Sequence, residues 1–238
     1  MHGNLQKNIA LLQRIKDSAE ALPADLAVFP PFPYLAQVQS LLLGSAVSWG
    51  GQSVCEYQSG AYTGEVSADM LAEFGCRYVL VGHSERRSIY GESDEVVAMK
   101  FAMAQSAGLV PVLCLGETLM ERERGDTARV VLRQLDAVVK QVGVSAMASA
   151  VVAYEPVWAI GSGLSASPDL AQDVHALIRS RVFGQDHVVA SGLRILYGGS
   201  VKSHNAAELF GQADVDGALV GGASLVADEF LAICQAVK

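Results

Sequence analysis

Ala150-Val151-Val152-Ala153-Tyr154, followed at once by Glu155-Pro156, is the stretch that decides the fold. Five residues without an apolar/polar alternation read as a strand buried on both faces, as in a parallel sheet covered by helices. Proline then stops the pairing, and a carboxylate is left at the strand's C-terminal end. The same unit recurs along the chain. Short apolar runs lie at Leu26–Phe29, Ala46–Gly50, Tyr78–Val81, Val110–Leu115, Arg194–Tyr197 and Ala218–Val220. Helical patterns run between them, among others Glu95–Ala107, Ala128–Val142, Pro168–Phe183 and Asn205–Phe210, with Leu225–Val237 last. The chain opens with a helix over Leu5–Leu22, where Leu5, Ile9, Leu12, Ile15, Ala19 and Leu22 share one face. Seven strands alternating with about eight helices predict an α/β barrel-type architecture. No Pro/Gly/Ser-rich linker divides residues 1–238, so a single domain is expected.

Each strand gives way to polar or glycine-rich residues: Gly82-His83-Ser84, Gly116-Glu117, Glu155-Pro156, Gly198-Gly199-Ser200 and Gly221-Gly222. In βα barrels the active site is built at that end of the strands. Glu155 suits a general base beside a loop, although a capping or ion-paired Glu would look the same in isolation. His83 opens a helical segment, and a helix N-terminus lowers an imidazole's pKa and keeps it neutral; alone, a strand-end His is structural as readily as functional. Val157 to Ala166 combines Trp158 with Gly161 and Gly163, a composition suited to a lid that excludes water. Gly161 to Ala166 also matches a dinucleotide fingerprint, but it begins six residues past the strand and has no acidic residue about 20 positions on, so that reading is rejected. Glycines after the last two strands suit backbone binding of an anion, helped by a short helix from Ala223 to Leu225.

Composition narrows the function classes. A net charge of -8 disfavours nucleic acid and anionic membranes as partners, and any phosphate site has to be built locally. No apolar run approaches the roughly 20 residues of a membrane span, and no secretory signal pattern opens the chain. Cys55, Cys76, Cys114 and Cys234 form no Cys-x-x-Cys pair and read as reduced, buried thiols, Cys114 as packing beside the site, which predicts a cytoplasmic protein. His2, His83, His175, His187 and His204 are scattered without ligand spacing, so neither metal nor other cofactor is expected.

Six segments together resemble the triosephosphate isomerase family: Gly60-Ala61-Tyr62-Thr63-Gly64-Glu65, Gly82-His83-Ser84-Glu85-Arg86-Arg87, Cys114-Leu115-Gly116-Glu117, Ala153-Tyr154-Glu155-Pro156-Val157-Trp158-Ala159-Ile160-Gly161, Tyr197-Gly198-Gly199-Ser200 and Leu219-Val220-Gly221-Gly222. The resemblance implies a (β/α)8 barrel that interconverts dihydroxyacetone phosphate and glyceraldehyde 3-phosphate through an enediolate, in glycolysis and gluconeogenesis and linked to pentose phosphates. It makes Glu155 the base and neutral His83 the group that polarises the carbonyl, the pairing that serves as a standard example of tuned acid–base chemistry. Gly161, Ser200, Gly221 and Gly222 are implied to hold the phosphate. Pro156, Val157, Trp158, Ala159, Ile160, Gly163 and Ala166 belong to the lid, which Tyr197 and Ser200 latch at Ala166 and Gly163. Glu85 is implied to be a carboxylate behind the reacting groups. Thr63 reaches a neighbouring subunit's site, with Glu65 and Arg86 as an ion pair near that interface, so a homodimer is expected.

The family's Asn-x-Lys at the end of its first strand has no counterpart here, and Lys7 and Lys16 sit within the first helix. An eighth strand carrying that lysine is therefore expected before Met1. Loss of one such electrostatic group typically costs about 10²–10³ in kcat. A different phosphate-binding barrel enzyme would place its base elsewhere, whereas a barrel that binds phosphate without turnover remains an alternative on sequence alone.

Overall fold

The computed structural model describes residues 1–161 and 165–237. Its seven strands are β1 (Leu26–Val28), β2 (Val47–Gly51), β3 (Tyr78–Val81), β4 (Val110–Leu115), β5 (Val151–Tyr154), β6 (Arg194–Tyr197) and β7 (Gly217–Ala218). They form one sheet in chain order, and every pairing is parallel. Among the described residues β1 pairs only with β2 and β7 only with β6.

Period-two alternation sorts the strand residues onto two apolar faces. Val79, Val81, Leu113, Leu115, Val152, Tyr154, Ile195 and Tyr197 point outward into the large core beneath the helices. Leu80, Val112, Cys114 and Ala153 form a smaller inner cluster with Tyr78, Val151 and Leu196 packed on it. Both faces are apolar, which is why the strands carry no polar alternation. Continuing the alternation by one residue puts Glu155 on the inner side, at the C-terminal rim.

The α-helices are α1 (Leu5–Ala19), α2 (Leu35–Leu42), α3 (Ala68–Glu73), α4 (Ser84–Tyr90), α5 (Asp94–Ser106), α6 (Leu119–Glu123), α7 (Thr127–Val142), α8 (Pro168–Phe183), α9 (His187–Gly192), α10 (Ser203–Phe210) and α11 (Ala227–Gln235). The expected count of about eight is thus too low. The surplus consists of short pieces in the βα connections, such as α4 and α6, where a single turn or two leaves little periodicity to read. Side chains cap many of the N-termini: Asn4, Ser67, Ser93, Thr118, Ser167 and Asp186 each accept from the first turn. The first helix stops at Ala19 rather than Leu22, because the backbone N–H of Leu22 bonds back to Ala19 in a tighter turn ahead of Pro23. β7 is shorter and earlier than Ala218–Val220; Leu219 N–H still reaches the Tyr197 carbonyl, after which the chain turns toward Gly221.

Candidate active site

Glu155 is fixed by its neighbours on both sides. Its N–H donates to the Leu115 carbonyl at 2.7 Å, and the Gly198 N–H donates to the Tyr154 carbonyl at 2.7 Å. The flanking strands carry glycine where they pass it. A Cβ on Gly116 would lie 1.7 Å from the Glu155 carbonyl oxygen, and one on Gly198 would lie 2.8 Å from its Cγ. The side chain is 2 % exposed. One carboxylate oxygen accepts from the Ser84 backbone N–H at 2.8 Å and the other lies 3.0 Å from His83 Nε2.

His83 is the N-cap residue of α4, and its Nδ1 accepts from the Glu85 N–H at 3.3 Å. That bond assigns the proton of the neutral ring to Nε2, which then donates to Glu155. The Glu85 carboxylate stands 3.9 Å from Nδ1. The expected lowering of the imidazole pKa is reversed here. Burial depresses it, but the hydrogen bond and the negative charge of Glu155 outweigh burial and the nearby Arg86 cation, so the pKa is raised. A carboxylate in direct contact acts more strongly than the end of a helix of only seven residues.

The segment expected to form a lid starts from a firm base. The Val157 N–H donates to the Glu117 carbonyl at 3.1 Å, and Val157–Ala159 form a 3-10 turn that leads through Ile160. Glu117 is fully buried and accepts from Trp158 Nε1 at 3.0 Å and from the Tyr154 hydroxyl at 3.1 Å. Arg122 lies over the Trp158 ring, 4.7 Å from its centroid. Burial, with the charge of Glu117, pushes the Tyr154 hydroxyl pKa well up, so it stays a donor. Gly161 has φ +67. Gly163 lies outside the described residues, and the Ser200–Gly163 half of the expected latch with it. The other half is formed: the buried Ala166 N–H donates to the Tyr197 hydroxyl at 3.1 Å.

Around the implied phosphate loops, the Ser200 carbonyl accepts from Asn205 Nδ2 at 3.2 Å, and the Gly221 carbonyl accepts from the Ser224 hydroxyl and N–H. Gly222–Leu225 is a 3-10 turn, where a short helix from Ala223 was expected. A Cβ at Gly221 or Gly222 would meet nothing within 4 Å, so the space in front of both is open.

Thr63 and Glu65 lie on an exposed loop, whose Tyr57 and Tyr62 rings stack 4.3 Å apart. The expected Glu65–Arg86 pair is not formed within the chain. Arg86 bonds Glu92, which also holds Lys100. The buried Glu92 carboxylate thus lies between two cations, Arg86 and Lys100. Sequence reasoning missed this cluster, along with Glu117 as the base of the lid and Arg87 beneath the site. Arg87 and Glu117 stand in two of the quoted segments, but nothing in the linear pattern names what they touch, and Lys100 shows only as a charge on the buried face of α5.

Cys114 packs as expected. It is fully buried, and burial followed by the charge of Glu155 raises its thiol pKa well above the ordinary value. Among the described residues no group of three or more His, Cys, Asp or Glu converges to hold a metal ion, and no helix is long and apolar enough to cross a membrane.

The chain's likeness to known proteins extends over nearly its whole length. The family model described as triosephosphate isomerase matches residues 1–237. A triosephosphate isomerase of Dechloromonas aromatica is 69% identical over 238 residues, covering 100% of this chain and 96% of the relative. Those of Thiobacillus denitrificans and Nitrosococcus oceani are 61% and 55% identical, each over 99% of this chain, with 94% and 95% of the relative covered. A matching family model and relatives far above the threshold for common descent, together with a carboxylate and an imidazole meeting at the rim of a parallel βα sheet, establish that the chain belongs to the triosephosphate isomerase family.

Proposed function

We propose that Glu155 and His83 carry the reaction of this family, the interconversion of dihydroxyacetone phosphate and glyceraldehyde 3-phosphate. The observation that carries the assignment is the contact of Glu155 with His83 Nε2 at 3.0 Å on the inner rim. Substrate entry opens the Glu155–Nε2 contact, and the released Nε2–H then donates to the substrate's carbonyl oxygen. The Glu155 carboxylate removes a proton from the adjacent carbon, the electron pair of that C–H bond moves to form an enediolate, and its negative charge develops on the oxygen facing His83. Return of the proton to the neighbouring carbon, with proton exchange between the two oxygens through His83, completes the isomerisation. Backbone N–H groups near Gly161, Ser200, Gly221 and Gly222 hold the phosphate, a role supported by the open space before the last two glycines. The lid, anchored at Glu117 and Tyr197, closes over the intermediate and keeps water from it.

Burial supports the role of Glu155: a carboxylate 2 % exposed, held by Ser84 N–H and His83, sits in a largely desolvated place from which it can swing to the substrate carbon. The alternative of a barrel that binds phosphate without turnover gains no support from the relatives. A homodimer in which Thr63 enters the partner's site, acting in the cytoplasm, completes the reading; the exposed loop around the Tyr57–Tyr62 stack supports the contact. The deciding experiment measures the isomerisation rate of glyceraldehyde 3-phosphate by the purified chain beside Glu155→Gln. Loss of a positioned general base lowers kcat by about 10²–10⁴; equal rates in the two proteins would remove Glu155 from the mechanism. Sedimentation velocity gives the assembly state, and a monomer with full activity would exclude the Thr63 role.

A further inference from the structure

The register of β3 with β4 ends at Val81 opposite Leu113. The next residues, Gly82 and Cys114, are joined by a side chain instead. Arg87 Nε donates to the Gly82 carbonyl at 2.8 Å, and one terminal nitrogen donates to the Cys114 carbonyl at 3.3 Å. The remaining terminal nitrogen donates to Asp94 at 2.7 Å, and the other oxygen of Asp94 accepts from Arg133 of α7 at 2.8 Å. The guanidinium is 14% exposed and bonds in three directions, so its plane is fixed. It also packs closely against the strand end: a Cβ on Gly82, whose φ is +71, would lie 2.8 Å from Arg87.

The two carbonyls are not arbitrary. Gly82 immediately precedes His83. Cys114 immediately precedes Leu115, whose carbonyl holds the Glu155 N–H at 2.7 Å. One guanidinium therefore ties the backbone that carries the imidazole to the backbone that seats the carboxylate. An ion pair with Asp94 needs neither carbonyl, and a lysine could satisfy it.

We propose that Arg87 is a positioning residue for the isomerisation, a clamp across the ends of β3 and β4 that sets the distance between His83 and Glu155. The inference rests on the assignment of those two residues above. Arg87 itself touches no reacting atom.

The test compares Arg87→Lys and Arg87→Ala with the parent and with Glu155→Gln, reading kcat, KM and melting temperature for each. Lysine keeps the charge opposite Asp94 but cannot bridge both carbonyls. Expected is a kcat about tenfold lower in Arg87→Lys and about 10²-fold lower in Arg87→Ala, the order that a misplacement near 1 Å produces. KM should change little, and the melting temperature of Arg87→Lys should stay near the parent's. Parental kcat in folded Arg87→Lys, or a raised KM with kcat unchanged, overturns the clamp while leaving the site assignment intact. Parental kcat in Glu155→Gln overturns the assignment and the clamp with it. Should Arg87→Ala fail to fold, Arg87→Lys alone decides.

Discussion

Acid should weaken this fold at one identifiable residue. His175 of α8 is fully buried, its Nδ1 donates to the Asp214 carbonyl at 3.0 Å, and its Nε2 meets no hydrogen-bond partner among the described residues. The Tyr154 ring stands edge-on to it at 5.9 Å. Burial lowers its pKa to about 4, against the upward pull of Asp214 and Asp216 and with the help of Arg179. A base whose folded pKa is depressed is neutral in the fold but takes up a proton in the unfolded chain below its ordinary value near 6.5. Stability attributable to this group is therefore intact above about pH 6.5, falls as the pH drops, and levels off below about pH 4. With these two values, linkage gives a loss of roughly 1 kcal/mol at pH 5.5 and roughly 2–3 kcal/mol at pH 4.5. His175→Asn keeps a donor for the Asp214 carbonyl and removes the titration. Urea denaturation of both proteins at pH 7.5, 5.5 and 4.5 isolates the effect, since other groups titrate alike in each. The variant should be less stable at pH 7.5, and the gap should narrow by roughly 2–3 kcal/mol at pH 4.5. Parallel stability curves would refute the reasoning.

Tyr197→Phe strips the acceptor from the buried Ala166 N–H. An unpaired buried donor costs about 1–3 kcal/mol, so kcat/KM should fall by about tenfold or more; an unchanged value would mean that the latch contributes nothing to closure. Gly198→Ala places a methyl 2.8 Å from Glu155 Cγ. Expected is a kcat about 10²-fold lower from the displaced carboxylate, with the fold retained by circular dichroism; parental kcat would show that the side chain has room to yield. Lys100→Met takes one of two cations from the buried Glu92 carboxylate. Breaking a buried pair costs about 3–5 kcal/mol, and Arg86 should hold the loss to the lower part of that range, read as a shift in the urea midpoint. An unshifted midpoint would mean that Lys100 adds nothing to Glu92's stabilisation.

The sequence by itself determined the strands and the ends on which the chemistry sits. Tyr78–Val81, Val110–Leu115, Arg194–Tyr197 and Pro168–Phe183 begin and end where their patterns do, because strand and helix periodicity are local properties that a run of neighbours encodes. The same locality places His83 and Glu155 after buried strands. Tertiary structure alone decided what those residues meet. Ser84 N–H finds Glu155 71 positions away, Arg86 and Lys100 meet on Glu92, and Arg87 reaches the Cys114 carbonyl across 27 positions. The direction of the His83 pKa belongs with these: the helix end that argues for lowering it is visible in the sequence, whereas the carboxylate that reverses it arrives only when β3 and β5 curl toward a common rim. Distances of a few ångströms between remote residues set both electrostatics and hydrogen bonding, and no linear pattern carries them.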